Sequence, residues 1–110
     1  MDTKRIWLSY DLGLKGDYEN LYHWLDSHGA KECGDSVATL IFEYKNDIIA
    51  ELDRDLRENL HLHNKDRIYV IYKDKEGKLR GKFISGKRKP SPWEGYAITI
   101  EDKGEDDFES

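Results

Sequence analysis

Apolar and polar residues alternate near the start of the chain: Ile6, Leu8 and Tyr10 fall on one side, Trp7, Ser9 and Asp11 on the other. Period-two alternation marks a strand with one buried face, which predicts a strand over Arg5 to Leu12. Gly13 and Gly16 interrupt it, and Asp17 is placed to cap a helix that gathers Tyr18, Leu21, Tyr22 and Leu25 on one face. Gly29 stands where a C′ glycine ends a helix. A short strand around Ala30 to Cys33, a turn at Gly34-Asp35 and a run from Val37 to Tyr44 predict a hairpin, with Ile41 and Phe42 on opposite faces.

Asn46 or Asp47 can cap a second helix, in which Ile49, Leu52, Leu56 and Leu60 recur at spacings of 3, 4 and 4. His61 to Lys65 ends it. Asp66 to Tyr72 is β-branched and aromatic, which favours another strand. The order β-α-β-β-α-β predicts an α+β fold of the ferredoxin-like kind, two helices covering one face of a four-stranded antiparallel sheet. Beyond it, Lys78 to Ser85 is expected to form a β-hairpin across the Glu76-Gly77 turn. Lys87 to Pro92 then reads as loop, and Tyr96 to Ile100 as a short extra strand. Residues 1–73 are thus the core, residues 74–100 a basic hairpin, loop and C-terminal strand of the same domain, and residues 101–110 an acidic tail expected to be disordered.

At 110 residues the chain has room for one modest core. No stretch approaches the roughly 20 apolar residues of a membrane span, and Lys4 and Arg5 precede a strand-like run with no signal-peptide apolar region behind it. A cytoplasmic protein without membrane contact is expected. Cys33 is the only cysteine, which excludes an intramolecular disulfide or a cysteine zinc site within one chain, and it reads as a structural thiol.

The net charge of −5 conceals two segments of opposite sign. Lys73 to Lys89 holds eight cations against Asp74 and Glu76, a formal +6. The tail from Glu101 carries six acids against Lys103, so residues 1–100 balance to zero.

The first strand ending in Leu8-Ser9-Tyr10-Asp11-Leu12, the Asp35-Ser36-Val37 entry to a hairpin strand and the run from Asp66 to Tyr72 resemble the CRISPR-associated Cas-two adaptation proteins. They also resemble the related SinR-like proteins and virulence-associated protein D. The likeness covers about the first two thirds of the chain. It implies a symmetric homodimer in which two copies of the first-strand aspartate, here Asp11, face each other and hold a divalent metal, Mg²⁺, for phosphodiester cleavage. It also implies a C-terminal strand that crosses to the partner, for which Tyr96, Ala97, Ile98, Thr99 and Ile100 are the candidates. The loop after Asp11, the basic hairpin and the Pro90-Ser91-Pro92-Trp93 bend lie outside the pattern.

A carboxylate at a strand end can meet its dimer mate across a two-fold axis and offer hard oxygens to Mg²⁺. The same residue can simply cap the loop through backbone N–H groups. Ser9 and Asp17 are secondary candidates, Asp17 reading as an N-cap. His61 and His63 share a face only if extended, and with His23 and His28 they read as ordinary polar or helix-end residues. Lys78, Arg80 and Lys82 alternate, so in a strand they project from one face while Leu79, Gly81 and Phe83 take the other. Such a row can follow a nucleic-acid backbone, with Trp93 or Tyr96 stacking on bases, or it can keep an edge strand soluble. Lys87, Arg88 and Lys89 have no obvious folding role and favour an anionic partner.

The reading is a Cas-two-like homodimer that processes DNA or RNA, with Asp11 as metal ligand and catalytic residue. Two alternatives stand beside it: a non-catalytic nucleic-acid-binding scaffold, and a phage-type inhibitor or interaction protein that binds another protein.

Overall fold

The computed structural model describes residues 1–98, in the order β1 (Asp2–Asp11), α1 (Tyr18–Ser27), β2 (Lys31–Gly34), β3 (Val37–Tyr44), α2 (Ile48–Asn59), β4 (Arg67–Lys73) and β5 (Leu79–Ser85). This is an α+β fold. The strands form one antiparallel sheet in the order β2-β3-β1-β4-β5, so β1 lies between β3 and β4. The expected hairpin forms, β5 pairing with β4 across the Gly77 turn, where Gly77 supplies a φ of +82°, and it extends the sheet to five strands.

Alternation decides which side of the sheet is covered. Ile6, Leu8 and Tyr10 of β1, Ala38, Leu40, Phe42 and Tyr44 of β3, and Ile68 and Val70 of β4 are buried in one cluster. Leu21, Trp24 and Leu25 of α1 and Ile48, Leu52 and Leu56 of α2 belong to the same cluster, so both helices cover that face. Each leucine, isoleucine, valine or phenylalanine among them stabilises the fold by roughly 1.5–3 kcal/mol when fully buried. The other face, with Trp7, Ser9 and Asp11, carries no helix among the described residues.

Polar anchors fix the helix ends and the loops beside the sheet. Asp17 caps α1 by accepting from the Asn20 N–H at 3.3 Å, and it also accepts from the His61 N–H at 2.8 Å, tying the start of α1 to the segment after α2. These donors hold the Asp17 carboxyl below its usual range, the His61 N–H most of all. Asp47 caps α2 through the Ile49 and Ala50 N–H groups, and Glu51 accepts from the backbone N–H groups of Lys45, Asn46 and Asp47. Glu51 is likewise lowered, first by the Lys45 N–H. Asp66, only 1% exposed, accepts from the Gly13 N–H at 2.9 Å and the His63 N–H at 2.8 Å, while its carbonyl accepts from the Ser85 hydroxyl. One carboxylate thereby joins the β1–α1 loop to the turn that enters β4.

Three expectations change. β1 starts at Asp2 rather than Arg5, because β3 is long enough to pair with it from Tyr44 onward. The strand expected over Tyr96 to Ile100 is not formed in its described part. Tyr96 and Ile98 donate to the Trp93 and Gly95 carbonyls in successive turns, and Gly95 has a φ of +86° incompatible with a continuing strand. Thr99 and Ile100, like the acidic tail over residues 101–110, lie outside the described residues. Cys33 is exposed on the edge strand β2 rather than packed as a structural thiol.

Candidate nucleic-acid interface

The helix-free face is built by the odd-numbered residues of β1 and their cross-strand partners. Trp7 lies opposite Thr39 and Ile71, Ser9 opposite Val37 and Tyr69, and Asp11 opposite Arg67. On β5, Phe83 is opposite Tyr69 and Gly81 opposite Ile71. Ile41 and Ile71 are both exposed on this face.

Asp11 is therefore not a free carboxylate. Its Oδ2 accepts from Arg67 Nη2 at 3.0 Å, with the Asp11 side chain 63% and the Arg67 side chain 27% exposed. A pair this exposed contributes little stability, but it places a cation against the carboxylate. The Arg67 Nε–H is buried without a partner among the described residues. Ser9, Asp11, Arg67, Tyr69, Phe83 and Arg88 together line a cleft of about 220 Å³. Its wall is an aromatic pair, Tyr69 and Phe83, with ring centroids 4.8 Å apart, and the Arg88 guanidinium lies 5.7 Å from one ring centroid and 5.6 Å from the other. Gly81 makes that pair possible, because a methyl there would overlap the Tyr69 phenol.

The expected alternation holds for Arg80 and Lys82, and the sheet stands between them and Arg88. Arg80 and Lys82 pair opposite Tyr72 and Val70 and so project on the helix side, whereas Arg88 sits on the helix-free side. Leu79, Gly81 and Phe83 take the face opposite to Arg80 and Lys82, as alternation requires. Lys78 belongs to the turn, where its N–H donates to Asp74, and Arg80 Nε donates to the same carboxylate at 2.8 Å. These donors lower the Asp74 pKa, Arg80 foremost. Lys87 and Lys89 flank Arg88 and are exposed. Trp93 and Tyr96 are 71% and 79% exposed in the turns that follow.

Asp17 is an N-cap, as expected, and its carboxylate is spent there. His23, His61 and His63 are exposed, and among the described residues no group of three or more His, Cys, Asp or Glu side chains is placed to hold a metal ion. His28 is not isolated: its ring lies 4.0 Å from the Trp24 ring, and its Nε2 is 3.8 Å from Asp55 Oδ2, which also accepts from Trp24 Nε1. The four-residue spacing from Trp24 to His28 was a signal for that contact. Arg67 and Tyr69 were missed as site residues because their meeting with Asp11 and Ser9 depends on β4 pairing with β1.

No helix among the described residues is long and apolar enough to cross a membrane. No family model, no curated protein and no solved structure matches the chain, so its function is argued from its own residues.

Proposed function

We propose that the chain is a cytoplasmic, Cas-two-like protein of ferredoxin-like topology that binds DNA or RNA as a symmetric homodimer. The topology reading is supported by β1 standing between β3 and β4, with β2 outside β3 and both helices on one face. The observation that carries the binding reading is the cleft where Arg67 and Arg88 converge beside the Tyr69–Phe83 pair. Guanidinium groups neutralise phosphates, and rings beside them offer faces and edges to unpaired bases. Lys78, Arg80, Lys82, Lys87 and Lys89 extend the same positive field around the β5 edge.

Binding without cleavage is the function this geometry supports best. Mg²⁺ takes near-octahedral oxygen donors, usually one or two carboxylates with waters. Within one protomer Asp11 is one carboxylate with a guanidinium already against it, which does not fit such a site, and no catalytic step is assigned to it. One observation favours a nuclease as second reading: Asp11 is well exposed on the helix-free face, where a partner copy across a two-fold axis would bring a second carboxylate.

Labelled single- and double-stranded DNA and RNA, offered with Mg²⁺ and with EDTA, test both. Binding in EDTA is expected to weaken as salt rises, and replacing Lys87, Arg88 and Lys89 by alanine is expected to flatten that dependence. Asp11→Asn is expected to bind as wild type does. Mg²⁺-dependent cleavage that disappears in Asp11→Asn would instead establish the nuclease. Retention of a protein partner with no nucleic-acid affinity would favour the interaction-protein alternative. The molar mass in solution, with and without residues 96–110, tests the dimer and the role of that segment in it.

A further inference from the structure

β1 outruns its neighbour. Its ladder with β3 begins at Asp2, but its ladder with β4 covers only Trp7 to Asp11, although β4 itself continues to Lys73. A notch opens where the two strands separate. It has a volume of about 730 Å³, the size of a small-ligand site, and it is formed by the first half of β1, the residues after β3 and the β4–β5 turn.

Five cations meet there: Lys4 and Arg5 from β1, Lys45 after β3, and Lys73 and Lys75 from the end of β4 and its turn. The acids in the wall are Asp2 and Asp74, a formal excess of three positive charges. Asp74 is already spent, since its Oδ1 accepts from the Glu76 and Lys78 N–H groups and its Oδ2 from Arg80. Two of the cations are held in place. The Lys4 ammonium donates to the Lys73 carbonyl across the notch, and Arg5 Nη1 donates to the Thr39 hydroxyl at 3.1 Å, which in turn donates to the Ile6 carbonyl. Trp7 lines the same notch. Trp24 packs on His28 and Phe42, whereas Trp7 has no ring partner among the described residues. Cations fixed around an unpartnered indole suit a polyanion that also carries flat rings.

We propose that this notch binds single-stranded nucleic acid, with Arg5, Lys45, Lys73 and Lys75 on the phosphates and one unpaired base stacked on Trp7. The proposal rests on the nucleic-acid reading above and adds a second locus with a strand preference. The notch is too small for a duplex, and a base held in a pair cannot leave its stack to reach Trp7, whereas a splayed single strand can.

The test is fluorescence anisotropy of a labelled single-stranded oligonucleotide and its duplex against wild type and four variants: Trp7→Leu, Trp7→Phe, the pair Lys45→Ala and Lys75→Ala, and the triple alanine replacement of Lys87, Arg88 and Lys89. Trp7→Leu is expected to weaken single-strand binding about tenfold, Trp7→Phe to restore most of it, and neither to change duplex binding. The lysine pair is expected to reduce the single-strand salt slope by about 1.4, at roughly 0.7 per phosphate contact. Loss in the notch variants with the triple variant unaffected would also support the proposal, while removing the earlier reading's basic segment from the interface. Loss in the triple variant with the notch variants binding as wild type would overturn the proposal and leave the earlier reading standing. Wild type that binds neither strand form would overturn both.

Discussion

Replacing Asp66 by asparagine exchanges one oxygen for an amino group and tests how the loops around the sheet are held. The two carboxylate oxygens accept from the Gly13 and His63 N–H groups at 2.9 and 2.8 Å, in a residue 1% exposed. An asparagine side chain offers one oxygen and one amino group, so one backbone N–H keeps its acceptor and the other faces a donor. The lost charge-assisted bond is worth about 1.5–3 kcal/mol and the stranded N–H about 1–3 kcal/mol. These overlap, because water reaches part of the opened site, and a net loss of roughly 3 kcal/mol is expected. For a domain of this size that corresponds to about 12–24 °C in Tm. Urea unfolding at constant m-value and thermal circular dichroism both measure it. Asp66→Ala, which strands both N–H groups, should lose at least as much. A loss under about 1 kcal/mol for Asp66→Asn would refute the argument that this carboxylate is what ties the β1–α1 loop to the start of β4.

Asp17, Glu51 and Asp74 have folded pKa values lowered from ordinary values of 3.8, 4.5 and 3.8, so the stability they supply is complete above that range and is lost as pH falls through it. Urea midpoints should therefore hold steady down to about pH 5 and fall below it. Asp17→Asn, which keeps a capping oxygen but cannot titrate, should fall less steeply, and an unchanged slope would count against Asp17. Gly81→Ala should push the Tyr69 ring off β5 and away from Arg88, reducing nucleic-acid affinity about two- to fivefold in the anisotropy assay. Affinity equal to wild type, in a folded protein, would remove the Tyr69–Phe83–Arg88 cluster from the interface.

Local patterns carried most of the architecture in the sequence. Alternation through Ile6, Leu8 and Tyr10 named the buried face of β1, and the spacing of Leu52 and Leu56 named that of α2, because both periodicities depend only on near neighbours. The segment from Tyr96 failed for a related reason: Tyr96-Ala97-Ile98 has strand-like side chains, but Gly95 and the turns after Pro92 control its backbone. The candidate site was less legible. Asp11 was visible as a strand-end carboxylate, yet its guanidinium partner arrives from β4, and periodicity says nothing about which strands become neighbours. Lys78, Arg80 and Lys82 read as one row and Lys87 to Lys89 as a separate cluster; alternation placed Arg80 and Lys82 on one face of β5, but nothing local shows that Arg88, beyond the strand end, turns to the other side of the sheet. The notch was invisible, since Lys4, Arg5, Lys45, Lys73 and Lys75 come from three distant stretches of chain.

The central place of β1 also sets an order of events. The β2–β3 and β4–β5 pairs join strands separated by a few residues and can close quickly, whereas Asp11 and Arg67 are 56 residues apart. A chain emerging from the ribosome therefore carries its first strand alone until β3 exists, and waits until β4 is made before Asp11 acquires its guanidinium or the notch its second wall. Until then the lysines and arginines are scattered along a flexible polymer, and their gathering into the notch and the Arg88 cleft comes only with the last long-range pairing.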